Sequence, residues 1–174
     1  MKRELKSKLA RVRVFLCDVD GVLTDGMVLM GNGVESKRFN ILDGLGMRLL
    51  QQAGVKVGWV SRRPSSATSM RATDLKIDHL IQIEGSKVEA IEALLDKSGM
   101  RWVDVCYVGD DIVDLGVLRK AGVAVGVANA IDEVKAIADY VTEREGGHGA
   151  VREVIDLILK AQNHWTALIR EHSK

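Results

Sequence analysis

The chain has little of what marks the more unusual classes of protein. It holds one proline in 174 residues, too few for a proline-rich linker or a disordered segment, and its 47% hydrophobic and 28% charged residues suit a compact domain with an ordinary core. Net charge is nearly absent, since 25 Lys and Arg against 24 Asp and Glu leave a formal +1. No global field therefore draws the chain to nucleic acid or to an anionic membrane, and any affinity for an anion has to be local. Long apolar runs are missing too: stretches such as Val12 to Cys17 fall far short of the roughly 20 residues that span a bilayer. The two cysteines, Cys17 and Cys106, each sit inside an apolar run without metal-ligand spacing and read as buried thiols of a reducing cytoplasm. After the basic start, Lys2, Arg3, Lys6 and Lys8, the apolar stretch stops at Asp18 with no small-residue cleavage site, so secretion is not expected. No repeat, low-complexity tract or linker breaks the sequence, and residues 1–174 are read as one domain.

What is present is an alternation. Short β-rich apolar runs near Val12 to Cys17, Val55 to Val60, His79 to Gln82, Val103 to Val108, Val123 to Val127 and Tyr140 to Thr142 take turns with segments of helical spacing. Those segments are Leu45 to Ala53, Ser65 to Leu75, Lys87 to Lys97, Val113 to Ala121, Asp132 to Ala138 and Ala150 to Leu159. The pattern predicts an α/β fold, a Rossmann-like three-layer α/β/α domain around a parallel sheet. One segment departs from it: Met27 to Met30, Gly31-Asn32-Gly33 and Val34 to Asn40 read as a β-hairpin directly after the first strand. Its first arm is apolar on both faces, whereas a solvent-exposed hairpin alternates, so something is expected to cover it.

Three apolar runs end in polar groups. Val12 to Cys17 leads into Asp18-Val19-Asp20-Gly21, Val55 to Val60 into Ser61-Arg62-Arg63, and Val103 to Val108 into Gly109-Asp110-Asp111, with Asp114 close behind. In an open parallel sheet the carboxyl ends of the strands line one edge, and ligands bind in the crevice there. So many carboxylates in one crevice call for a counter-ion, and oxygen ligands suit Mg2+. A single Asp after a strand commonly caps a helix or closes a turn, but capping explains one carboxylate per turn and not a set at adjacent strand ends.

These residues carry a resemblance. Asp18-Val19-Asp20-Gly21-Val22-Leu23-Thr24-Asp25 resembles the first motif of the haloacid dehalogenase superfamily of phosphatases, and Ser61, Lys87 and Gly109-Asp110-Asp111-Ile112-Val113-Asp114 follow in its order and spacing. Along nearly its whole length the chain is similar to the capless 3-deoxy-D-manno-octulosonate 8-phosphate (KDO 8-phosphate) phosphatase family. The finer marks are Phe39-Asn40 with Asp43-Gly44, Arg71, and Gly146-Gly147-His148-Gly149-Ala150-Val151-Arg152-Glu153. The resemblance implies a cytoplasmic Mg2+-dependent phosphatase that acts on a small sugar acid phosphate through an aspartyl-phosphate. It makes Asp18 the nucleophile and Asp20 the general acid and base. The Asp18 and Asp110 carboxylates and the Asp20 main-chain carbonyl would hold the metal, with Asp111 and Asp114 around them. Ser61 and Lys87 would bind the transferring phosphoryl group, and Arg63 and Arg71 the substrate carboxylate.

Two departures stand out. Arg62 replaces the glycine usual after the motif Ser or Thr, and His148 stands where the family more often has arginine. A phosphatase of another small phosphate, such as a nine-carbon sialic-acid-type 9-phosphate, is the rival reading. A non-catalytic scaffold is the third, against which the retained carboxylate cluster argues. Neither the stretch from Asp25 to Ser61 nor that from Ser61 to Lys87 has room for a cap domain over the site. A neighbouring subunit is then the natural cover, and the resemblance implies a homotetramer with the hairpins at its centre and the Gly146 to Gly149 motif near a neighbour's site.

Overall fold

Strands that are apolar at every position have to be covered on both faces, and the sheet here is built of such strands. In the computed structural model, β1 (Val14–Cys17), β6 (Val105–Gly109) and β7 (Val123–Gly126) are buried throughout, and β4 (Lys56–Ser61) is buried after its first residue. The structure describes residues 3–31 and 33–174; Lys2 of the basic start and Asn32 of the expected hairpin turn lie outside the described residues. With β5 (His79–Gln82) and β8 (Tyr140–Val141) these strands form one six-stranded sheet in the order β5-β4-β1-β6-β7-β8, every pair parallel. The chain thus starts in the middle, winds outward through β4 and β5, then crosses back to β6 and winds the other way. That reversal beside β1 is where an open α/β sheet offers a crevice.

Helices cover the sheet, as expected for a three-layer α/β/α fold. On one side α2 (Ile41–Gln52) packs on α7 (Ala150–Ala161), and α1 (Arg3–Leu9) packs on α7 as well. Elsewhere α4 (Lys87–Ser98) meets α5 (Leu115–Leu118), which meets α6 (Asp132–Ile137). The helix α7 owes its place to its apolar face, where Val151, Val154, Ile155 and Ile158 are wholly buried. Beyond it α8 (Trp165–His172) buries Leu168 and leaves Ile169 exposed. No helix among the described residues is long and apolar enough to cross a membrane.

Helices α1 and α8 were not expected from the sequence, and three expected elements take a different form. The helix predicted over Val113 to Ala121 is only the short α5, preceded by a tight turn at Ile112–Asp114. That turn forms because Asp111 caps it and the Asp114 side chain points inward. The hairpin is smaller than its apolar arm suggested, pairing β2 (Leu29–Gly31) with β3 (Val34–Ser36) in antiparallel register. Helix α2 begins four residues earlier than the apolar spacing indicated, because the Asn40 side chain accepts the Leu42 N–H and caps its first turn.

Candidate active site

The three central strands β4, β1 and β6 end side by side, so Ser61, Asp18 and Asp110 meet at one edge of the sheet. Backbone bonds continue past the strand: the Asp18 N–H donates to the Val108 carbonyl at 3.0 Å. The turn that follows needs Gly21. Its φ is +90°, and a Cβ there would lie 2.0 Å from Asp110 Oδ2, so a side chain would be strained and would collide with the neighbouring carboxylate.

Carboxylate oxygens of Asp18, Asp110 and Asp114 all lie within 4.8 Å of one another. One cation serves them: the buried Lys87 Nζ is 3.0 Å from Asp18 Oδ1 and 2.8 Å from Asp114 Oδ1. Lys87 reaches that point because it opens α4, whose N-cap Ser86 accepts the Glu89 N–H. Asp114 is fully engaged, accepting from the Tyr107 hydroxyl at 2.6 Å and from the N–H groups of Asp110 at 3.1 Å and Asp111 at 3.4 Å. Asp110 is not, for its buried Oδ1 has no partner among the described residues.

The charge states follow from this imbalance. Burial, reinforced by Asp18, Asp114 and Asp111, pushes the Asp110 carboxyl up to about 8. Burial likewise raises Asp18 to about 6 against the pull of Lys87. Burial works against the Lys87 charge, but Asp18 and Asp114 outweigh it and raise its pKa. Three carboxylates with one ammonium are short of positive charge, and the orphaned Asp110 oxygen beside Asp18 marks where it is missing. Hard oxygen donors in that arrangement fit a divalent cation such as Mg2+.

A different group of charges lies around Asp20. Its Oδ1 is 2.7 Å and its Oδ2 3.0 Å from Lys37 Nζ, and Arg63 Nε is 3.8 Å from Oδ2. Glu35 on β3 accepts from Arg63 at 2.5 Å and from the Ser65 hydroxyl at 2.6 Å. That hydroxyl bond, helped by Arg63 and Lys37, holds the Glu35 carboxyl below its usual range despite some desolvation. Ser61 is buried, and its Oγ exchanges hydrogen bonds with the backbone of Arg63, accepting the N–H and donating to the carbonyl, both at 3.1 Å.

Other expected residues are dispersed. Asp111 is exposed and spends its carboxylate on the Ile112 N–H at 2.7 Å. Arg71, on α3 (Ser66–Asp74), is bound to Asp74 at 2.5 Å and shares no partner with Arg63. Arg62 is exposed and donates to the Glu84 carbonyl at 3.3 Å. His148 is exposed beside Asn40 and Arg38. A cavity of about 760 Å3 opens near Arg13, Lys56, His79 and His164, away from Asp18, Asp110 and Asp114. Sequence reasoning did not single out Lys37, Glu35 or Tyr107. Period-two spacing in the extended segment from β3 into Lys37 puts Glu35 and Lys37 on one side, and that signal was available.

The tail motif lies against the chain's own first motif. The Gly147 N–H donates to the Val22 carbonyl at 2.9 Å, Asn40 Nδ2 to the Gly147 carbonyl at 3.3 Å, and the Arg152 N–H to Asp43 Oδ1 at 2.7 Å. The scattered marks Asn40, Asp43, Gly147 and Arg152 are thus one bracing assembly beside the site. Burial raises the Asp43 carboxyl to about 6, although the Arg152 N–H opposes the shift.

A family model described as haloacid dehalogenase-like hydrolase matches residues 59–155. The chain is 42% identical over 160 residues to the 3-deoxy-D-manno-octulosonate 8-phosphate phosphatase KdsC of Escherichia coli strain B, covering 91% of this chain and 85% of that protein. The chain belongs to the KDO 8-phosphate phosphatase family of haloacid dehalogenase-like hydrolases. Solved members share its shape. The phosphatase from Moraxella catarrhalis, crystallised in complex with a magnesium ion, a phosphate ion and KDO, is 39% identical with a TM-score of 0.96, covering 99% of both chains. A cobalt-bound family member from Haemophilus influenzae is 37% identical with a TM-score of 0.86, covering 90% of this chain and 92% of that one.

Proposed function

We propose that the chain, acting as one unit over residues 1–174, hydrolyses KDO 8-phosphate to KDO and phosphate with Mg2+ as cofactor. The observation that carries this reading is the charge-short cluster of Asp18, Asp110 and Asp114 on Lys87, with Asp20 two residues beyond the nucleophile candidate, in a chain of this family. Asp18, Asp110 and the Asp20 main-chain carbonyl would hold the metal, which when bound offsets charge on the phosphoryl oxygens.

Asp18 is the nucleophile. Lys87 and the Val19 N–H hold its Oδ1, at 3.0 and 2.7 Å, and leave Oδ2 without a protein donor among the described residues. Attack by that carboxylate on phosphorus forms the aspartyl-phosphate and breaks the bond to the sugar oxygen. Asp20, as general acid, gives a proton to the departing sugar oxygen. It then takes one from the water that hydrolyses the aspartyl-phosphate, and the cycle closes. Ser61 donates to the phosphoryl group and Lys87 offsets the charge it shares with Asp18. Arg63 and Arg71 receive the substrate carboxylate, Arg63 exchanging part of its contact with Glu35 for it.

The working unit is a homotetramer. Supporting this are Met27, Leu29, Met30 and Val34 of the hairpin, which are 73%, 72%, 69% and 61% exposed in the single chain. The buried thiols of Cys17 and Cys106, held protonated by burial, fit a reducing cytoplasm.

Phosphate release from a panel of sugar acid phosphates, with Mg2+ and with a chelator, tests the reading. KDO 8-phosphate is expected to be the best substrate, only with Mg2+, and Asp18→Asn to lower turnover by about a thousandfold or more while the fold is kept. Normal turnover by that variant, or a nine-carbon 9-phosphate preferred over KDO 8-phosphate, overturns it.

A further inference from the structure

Lys37 is the residue near the site whose chemistry remains unused. Its side chain is fully buried, at 0% exposure, although it comes from the hairpin, the most exposed element of the chain. A buried ammonium is costly unless its protons all find acceptors. Lys37 Nζ donates to Asp20 Oδ2 at 3.0 Å and to Thr68 Oγ1 at 3.2 Å, and it forms ion pairs with Asp20 Oδ1 at 2.7 Å and with Glu35 Oε1 at 3.6 Å.

The geometry of this set has a direction. Thr68 is wholly buried in the first turn of α3 and anchors the ammonium from below. Glu35 is itself fixed by Ser65, the N-cap of α3, and by Arg63. Asp20 is the more open member, with 26% of its side chain exposed, so the fixed groups orient it and not the reverse. Arg63 is a weaker guide, since it stands 3.8 Å from Asp20 with 44% of its side chain exposed. A tie between hairpin and α3 alone would need only Glu35 and Ser65.

We propose that Lys37, delivered by the hairpin and anchored on α3 through Thr68, is the positioning residue that aims Asp20 at the leaving-group oxygen. The proposal rests on the reading of Asp20 as general acid. Lys37 does not touch the reacting atoms; it fixes the rotamer of the carboxyl that does. Losing it frees that carboxyl to swing, and proton donation to the departing oxygen suffers while attack by Asp18 does not.

Leaving-group dependence separates this role from a structural one. Substituted phenyl phosphates fill the same space, but p-nitrophenolate departs without a proton whereas p-methoxyphenolate needs one. The value of kcat/KM reports steps up to that departure. In Lys37→Met it is expected to stay within about threefold of the parent for p-nitrophenyl phosphate and to fall by about 30-fold for p-methoxyphenyl phosphate. Thr68→Val, which keeps the shape of the site and removes the anchor, is expected to steepen the same plot by less. If Lys37→Met does not melt as a folded protein, the Thr68→Val plot decides. A slope unchanged from the parent, whether the rates drop together or not at all, overturns the proposal. That result leaves the phosphatase reading standing, whereas a parent enzyme inert toward KDO 8-phosphate overturns the substrate reading and leaves the slope test intact.

Discussion

On one side of the end of β1, Asp18, Asp110 and Asp114 share a single ammonium, Lys87; on the other, Asp20 and Glu35 are matched by two cations, Lys37 and Arg63. The first group comes from strands and helix starts inside the sheet's own framework and is largely buried. The second depends on a hairpin that reaches in from outside. Unmatched charge in a buried setting is a standing demand for a cation, so the first half is where a metal binds. Matched charge makes no such demand. It fixes orientation, which is what a proton-transferring carboxyl needs.

The largest effect should come from removing Lys87, the cation that serves the unmatched half among the described residues. Lys87→Met is expected to lower turnover by about two to three orders of magnitude and to cost the metal-free protein roughly 3–5 kcal/mol, since it leaves buried carboxylates facing one another. Urea unfolding in chelator and in Mg2+ checks this, and Mg2+ should restore part of the loss because it binds only the folded state. A variant as stable as the parent without metal would mean that this half is not short of charge.

A smaller, graded effect follows from Asp110, whose carboxyl is raised to about 8. Below that pH the metal has to displace a proton. Mg2+ affinity is therefore expected to rise about tenfold per pH unit up to about 8 and to level off above it. Because this folded pKa lies above the unfolded value of 3.8, the contribution of Asp110 to metal-free stability is present at low pH and is lost as pH rises toward 8. Calorimetric titration in buffers of different ionisation enthalpy measures the released proton, and affinity flat across this range would count against the assignment. The matched half supplies the contrast, for a change there should leave the metal titration untouched.

The smallest effect on the fold itself belongs to the hairpin. Met27→Asp with Leu29→Asp is expected to split the proposed tetramer, as light scattering would read, and to reduce turnover. Stability of the single chain should change by about 0.5 kcal/mol or less, since both side chains are exposed in it, and Mg2+ affinity should not move. A fully active monomer in the parent protein would remove the reason for that design.

What was legible in the sequence was local. Asp18, Ser61 and Asp110 each end an apolar run, and runs of that kind pair as neighbouring parallel strands, so their convergence could be read without coordinates. The place of Lys87 at a helix start pointed to a site role, and the structure puts its ammonium against Asp18 and Asp114. Lys37 was not, because its partners Asp20 and Thr68 sit on separate elements, and only the docked hairpin brings them together. Tyr107 was hidden inside a strand that reads as core, yet its hydroxyl binds Asp114. Helix α1 escaped notice because seven residues with charges on most of their surface carry too little apolar periodicity. Arg71 was placed on the substrate by likeness, while in the single chain its bond runs to Asp74, three residues along the same helix.

Gly146 packs so closely on the loop after β1 that a Cβ there would lie 1.7 Å from the Gly21 carbonyl oxygen. Backbone rests on backbone at that point, and every residue other than glycine would push the loop that carries Asp18 and Asp20 out of place. The loop carrying Asp18 and Asp20 leaves the ribosome well before the segment around Gly146 that seats it. A nascent chain with all strands but β8 would therefore hold Asp18 and Asp20 in an unbraced loop, and the site would be seated only once the Gly146 segment has emerged.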